Sequence, residues 1–171
     1  MASKITPARA LLFGTLTVAV LDITDAIVFW ALRGAHPIRV FQGIAGGFFG
    51  RATFEGGIRT ALIGAAVHVL VSFSVVSVYY LASGRLALLA RRPWVFGPIY
   101  GLLVYLFMYR VVIPLSAASP PHYSFEMVAN QLFAHLCLVG LPAALFVGAA
   151  RSGGTAAPGA TPARGQEASR A

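Results

Sequence analysis

The sequence predicts an all-α polytopic membrane protein: a four-transmembrane-helix bundle with a short interfacial or re-entrant helix in the first loop. Three observations predict it. Of the 171 residues, 58% are hydrophobic and 11% charged, where soluble domains carry about 25% charged. Mean hydropathy is +0.78. Four apolar runs each reach the ~20 residues needed to cross a bilayer, and Arg, Gly and Pro separate them. This composition allows one membrane domain, residues 1–150, and no second globular domain. Residues 151–171 are rich in Gly, Ala, Pro and Thr and bury no core, so they read as a disordered tail.

The net charge of +8 comes from single arginines that bracket the apolar runs rather than from one basic stripe. That pattern excludes nucleic acid as a partner and points to the lipid bilayer. The lone Cys137 excludes an internal disulfide and reads as a small buried hydrophobe.

Thr6-Pro7 predicts the first helix start, with Thr as N-cap and Pro in the first turn. Span 1 runs from about Ala8 to Leu32 and stops at Arg33-Gly34. Its apolar run is too long for the core of a cleavable signal and reads as a retained span. The first loop holds apolar residues at Ile38, Phe41, Ala45 and Phe48, a helical spacing that begins at Pro37. The glycine pairs 43/47 and 46/50 predict close approach of this short helix to the bundle. No strand precedes the glycines and no Lys-Ser or Lys-Thr follows, so they are not a phosphate loop.

Span 2 runs from about Arg59 to Ala82, with Ala61, Ala65, His68 and Ser72 as a small, polar contact stripe. A short basic loop, Ser83 to Pro93, follows. Span 3 runs from about Trp94 to Leu115 and opens on the close-packing pattern Gly97-Pro98-Ile99-Tyr100-Gly101, whose face continues to Tyr105 and Tyr109. Trp94, Tyr100 and Tyr123 read as interfacial anchors. Span 4 runs from about Phe125 to Ala149. Glu126 lies in its first turn, where the helix dipole favours an acid, and Pro142 predicts a kink. With four spans, both termini and the second loop share one side, and that side holds Lys4, Arg9, Arg85, Arg91, Arg92, Arg151, Arg164 and Arg170. The positive-inside rule then places both termini in the cytoplasm, although Arg33, Arg39, Arg51 and Arg59 pull the other way.

The functional signal lies in Asp22 and Asp25, two carboxylates inside an apolar span. A charge at membrane depth costs ~2.5–3.5 kcal/mol on insertion scales and faces a partner or water. Counted from the span ends, Asp22, Asp25, His68, Tyr105, Arg110 and His135 all fall roughly 9–16 Å below the outer surface, in the outer half of the bilayer. Gln131 shares the face of His135, and Asn130 sits slightly nearer the surface. Four spans thus predict one intramembrane polar site of Asp22, Asp25, His68, Tyr105, Arg110, Gln131 and His135.

Each member also has a plainer role. An aspartate pairs structurally with Arg110, a histidine bonds a neighbouring helix, and the tyrosines pack. Three functional readings remain open beside these. The first is a proton-linked path for transport or sensing, since Asp and His chains relay protons. The second is a haem or metal site with His68 and His135 as ligands, although no HxxxH or CxxC spacing is present. The third is a structural subunit of a larger membrane complex. An aspartyl enzyme is disfavoured, because Asp22 and Asp25 lie one turn apart on one helix rather than facing across a gap. No catalytic residue is assigned. Four spans are few for a transporter, so the first reading implies a homo-oligomer.

Three stretches carry a resemblance. They are His68-Val69-Leu70-Val71-Ser72-Phe73-Ser74, then Ile113-Pro114-Leu115 through Pro120-Pro121, then Gln131-Leu132-Phe133-Ala134-His135-Leu136. Over about residues 60–142 the chain resembles the YagU-like family of small bacterial inner-membrane proteins. The resemblance implies a multi-pass inner-membrane fold, singles out His68, Pro120, Pro121 and His135, and names no reaction.

Overall fold

A computed structural model of the chain describes residues 5–118 and 124–152. Lys4, Arg164, Arg170, Pro120, Pro121, Tyr123 and most of the tail, residues 153–171, lie outside the described residues. Among the described residues six helices follow in order: α1 (Pro7–Ala31), α2 (Pro37–Phe49), α3 (Gly57–Arg85), α4 (Ala87–Arg91), α5 (Pro93–Leu115) and α6 (Phe125–Ser152). A 3-10 turn, Gly50–Glu55, joins α2 to α3. Four of the helices, α1, α3, α5 and α6, are long and apolar enough to cross a membrane.

The helix starts follow the sequence signals. The Thr6 hydroxyl accepts from the Arg9 amide at 3.3 Å, and Pro7 fills the first turn of α1. Ser124 likewise accepts from the Met127 amide at 3.2 Å and opens α6. Two boundaries move outward. α3 continues through Arg85, and the short helix α4 replaces most of the expected basic loop. Arg151 and Ser152 are helical rather than part of the tail. The Arg151 side chain donates to the Ser83 hydroxyl at 3.0 Å and the Tyr80 carbonyl at 2.7 Å, which ties the end of α6 to α3.

α6 is the central helix. In its most apolar stretch 44% of residues are buried, against 11% in α5, and α1, α3 and α5 all pack on it. The apolar core gathers at the end of the bundle that carries Pro7 and Ser152. Val18 of α1, Val76 and Tyr79 of α3, and Val139, Ala143, Ala144 and Val147 of α6 interlock there. Tyr100 of α5 packs against this cluster, its ring 5.0 Å from that of Tyr79, and donates to the Val75 carbonyl at 2.7 Å. Tyr100 is therefore a core residue and not an interfacial anchor, whereas Trp94 is 69% exposed.

The α5–α6 contact rests on glycines. A Cβ at Gly101 would overlap the His135 carbonyl, and one at Gly140 would overlap the Gly97 carbonyl, so the two backbones touch. The Gly97–Gly101 pattern does what such patterns do between membrane helices. Gly43 and Gly47 of α2 do not. Gly43 faces open space, and Gly47 has only the Ser116 side chain at 3.9 Å. The close approach comes instead from Gly64 of α3, where a Cβ would collide with the Phe41 carbonyl. α2 buries Gln42, Ala45 and Gly46 against α3 and turns Phe48 outward. The stripe read from Ile38 to Phe48 is thus rotated from the true contact face.

α5 and α6 each contain a π-helical segment, Met108–Val112 and Ala134–Gly140. Each ends two residues before a proline, Pro114 and Pro142. A proline ring inside a helix meets the carbonyl four residues upstream and offers no N–H. A wider π turn relieves that crowding. The distortion expected from Pro142 takes this form.

Candidate functional site

The half of the bundle away from the apolar core holds its intramembrane acids and the histidines His68 and His135. α1 presents Asp22 and Asp25 on one face, three residues apart. α3 brings His68 and α6 brings Asn130 and His135 to that face, while α5 adds Tyr105 and Tyr109 behind His135.

The His68 Nε2 lies 2.9 Å from the carbonyl oxygen of Ala19. A carbonyl only accepts, so Nε2 carries the hydrogen and donates it. The other nitrogen, Nδ1, then faces the Asp22 Oδ2 at 4.0 Å. Its hydrogen state is left open by the ring's own bond. The separation is about 1 Å longer than a hydrogen bond. The His68 side chain is 11% exposed and that of Asp22 29%.

Asp22 has His135, His68 and Asp25 as its electrostatic neighbours. The His135 Nδ1 donates to the Gln131 carbonyl at 2.9 Å, one turn up the same helix. The ring stands edge-on to Tyr105 at 5.6 Å and to Tyr109 at 6.5 Å, and the two tyrosine rings lie 4.6 Å apart. The Asp25 Oδ2 accepts from the Asn130 side-chain amide at 2.8 Å. Two carboxylates and two imidazoles thus share one polar region.

Above this cluster the α1–α6 seam continues to the end of the bundle. Arg33 donates to Glu126 at 2.6 Å, to the Phe29 carbonyl at 2.9 Å, and lies over the Phe29 ring at 3.7 Å. Asp25 and Asn130 lie two turns and one turn below that pair on their respective helices. Below the cluster the seam closes on Val18 and Val139.

The structure therefore brings together Asp22, Asp25, His68, His135 and Tyr105. It does not bring in Arg110. That residue is exposed and makes no ion pair or hydrogen bond among the described residues. Tyr109 faces the bundle, and the next residue along a helix points about a quarter turn away. A lipid-facing arginine near a span end extends its head group toward the membrane surface. Gln131 contributes its backbone carbonyl, while its neighbour Asn130 supplies the side chain that meets Asp25. The sequence showed Asn130 as an amide inside a span, but depth and an assumed α-helical face selected Gln131. Arg33 and Glu126 belong to the same seam. Cys137 is exposed on the outside of α6 rather than buried.

Among the described residues no three His, Cys, Asp or Glu side chains are grouped to hold a metal ion. Both histidines already use one ring nitrogen on a backbone carbonyl. No family model, curated protein or solved structure matches the chain.

Proposed function

We propose that the protein binds and releases protons at the Asp22–His68 pair, in proton-linked transport or sensing across a bacterial inner membrane. The observation that carries this reading is the orientation of His68. Its bond to the Ala19 carbonyl leaves the titratable nitrogen facing the Asp22 carboxyl at 4.0 Å. Imidazole changes charge near neutral pH, and a carboxyl about 1 Å beyond hydrogen-bond distance can exchange the proton through a small side-chain movement or one bridging water. Asp25 and His135 extend the proton-holding region, and Asn130 holds Asp25 in place. With both termini cytoplasmic, as the arginine distribution favours, the cluster lies on the periplasmic side of the apolar core, and the α1–α6 seam leads outward from it to Arg33 and Glu126. The slight burial of α5 supports a homo-oligomer, in which a second copy covers that helix.

The test is a titration of the protein in lipid nanodiscs with its histidines labelled with nitrogen-15. The His68 ring signals are expected to report a change of protonation state during the titration. Asp22→Asn should change that titration, and Glu126→Gln should not. Proteoliposomes with an internal pH dye separate the two uses. Proton uptake under an imposed potential, lost in Asp22→Asn, identifies transport; its absence with the titration intact identifies sensing. A His68 ring that keeps one protonation state throughout, with no uptake, returns the cluster to a structural role.

A further inference from the structure

The groove between α2 and the 3-10 turn is a second site, remote from the buried cluster. It is lined by Arg39, Arg51, Ala52, Phe54 and Glu55 and encloses about 490 Å³, within the ~300–1,000 Å³ of small-ligand sites. Two cations and one anion line it, yet Glu55 forms no ion pair with either arginine among the described residues. The Arg39 guanidinium rests over the Phe54 ring at 5.4 Å. Opposite charges that share a groove without closing on one another leave room for a ligand that carries both signs.

The position selects the ligand's source. α2 and the 3-10 turn link the ends of α1 and α3, at the level where lipid headgroups lie. Phe48 and Phe49, just before the turn, are 68% and 58% exposed. Arginines close in the chain to exposed aromatic rings suit a molecule with a phosphate at one end and acyl chains beside it.

We infer that this groove binds the zwitterionic headgroup of a phosphoethanolamine lipid, with its phosphate on Arg39 and Arg51 and its ammonium on Glu55. The Phe54 ring covers one wall, and Phe48 and Phe49 meet the acyl chains.

Native mass spectrometry of the full chain released from detergent tests this against phosphatidylethanolamine and phosphatidylglycerol. The wild type should retain phosphatidylethanolamine about threefold better, the discrimination expected of one exposed ion pair. Glu55→Gln should remove the preference while keeping phosphatidylglycerol. Arg51→Gln should weaken retention of both lipids, and Arg85→Gln, at the other end of α3, neither. Equal or better retention of phosphatidylglycerol by the wild type, or a preference that survives Glu55→Gln, overturns the inference. If Glu55→Gln loses both lipids, Glu55→Asp decides: recovered phosphatidylethanolamine supports the assignment, and no recovery overturns it. Soluble phosphoethanolamine that displaces the lipid at millimolar concentration assigns the groove to a free phosphoester and overturns the lipid source.

Discussion

The Asp25–Asn130 bond, at 2.8 Å, shows how a single side chain settles an intramembrane carboxylate. Removing the amide leaves the carboxyl without that donor, and an unmatched buried polar group costs about 1–3 kcal/mol. Asn130→Ala should therefore lower stability in detergent by about that amount, measured by reversible unfolding; Asn130→Asp should cost more, because it sets two acids together. Gly101 has a steric role. Gly101→Ala drives a methyl into the His135 carbonyl and should cost about 1–3 kcal/mol, as overpacking does. Gly43→Ala meets open space and should be neutral or slightly stabilising, since alanine favours helix by about 0.5–1 kcal/mol over glycine. Equal effects of the two substitutions would contradict the backbone contact between α5 and α6.

The π segments govern the elements. Each is followed two residues on by a proline, and they carry Tyr109 and His135 respectively beside one another. Pro142→Ala restores the missing donor and removes the ring, so the wide turn should relax toward α geometry. His135 sits inside that turn, between the Gln131 carbonyl and the two tyrosine rings. Its ring resonances should move in Pro142→Ala and stay in place in Pro98→Ala, because no π segment precedes Pro98. Unchanged resonances in both would separate the proline from the position of His135. At the end of the seam, the Arg33–Glu126 pair is exposed, and such pairs contribute ~0–1 kcal/mol with strong dependence on salt. A double-mutant cycle of Arg33→Gln and Glu126→Gln should find a coupling in that range that falls as salt rises.

On the scale of the whole molecule, packing and polarity are separated along the bundle axis. One end holds Val18, Val76, Tyr79, Val139 and Val147 in a tight core. The other holds Asp22, Asp25, His68 and His135, with polar ties leading outward to Arg33 and Glu126. α6 joins the two halves and is the most buried span. The four spans were legible because twenty or more apolar residues have few other fates, and the start of α1 because Thr6 and Pro7 act locally. The level of the polar residues was legible from rise per residue alone. Their partners were harder to read. The choice between Asn130 and Gln131 depends on helix rotation beside a π segment, and Arg110 matches the cluster in depth while facing away from it.

What the sequence by itself determined is the class of the molecule, the number and approximate limits of its spans, the glycine seam of α5, and the presence of acids and imidazoles at one depth. These follow from composition, from local capping and from distance along a helix axis. Only the tertiary structure decided which of those residues meet. It placed the Asp22 carboxyl opposite His68, gave Asp25 to Asn130, drew Tyr100 into the core and left Arg110 and Cys137 outside. The reason is physical: depth depends on one coordinate, the rise along each helix, whereas contact also depends on the rotation of every helix about its axis. That rotation is set by backbone approach at Gly64, Gly97, Gly101 and Gly140 and by the two π turns.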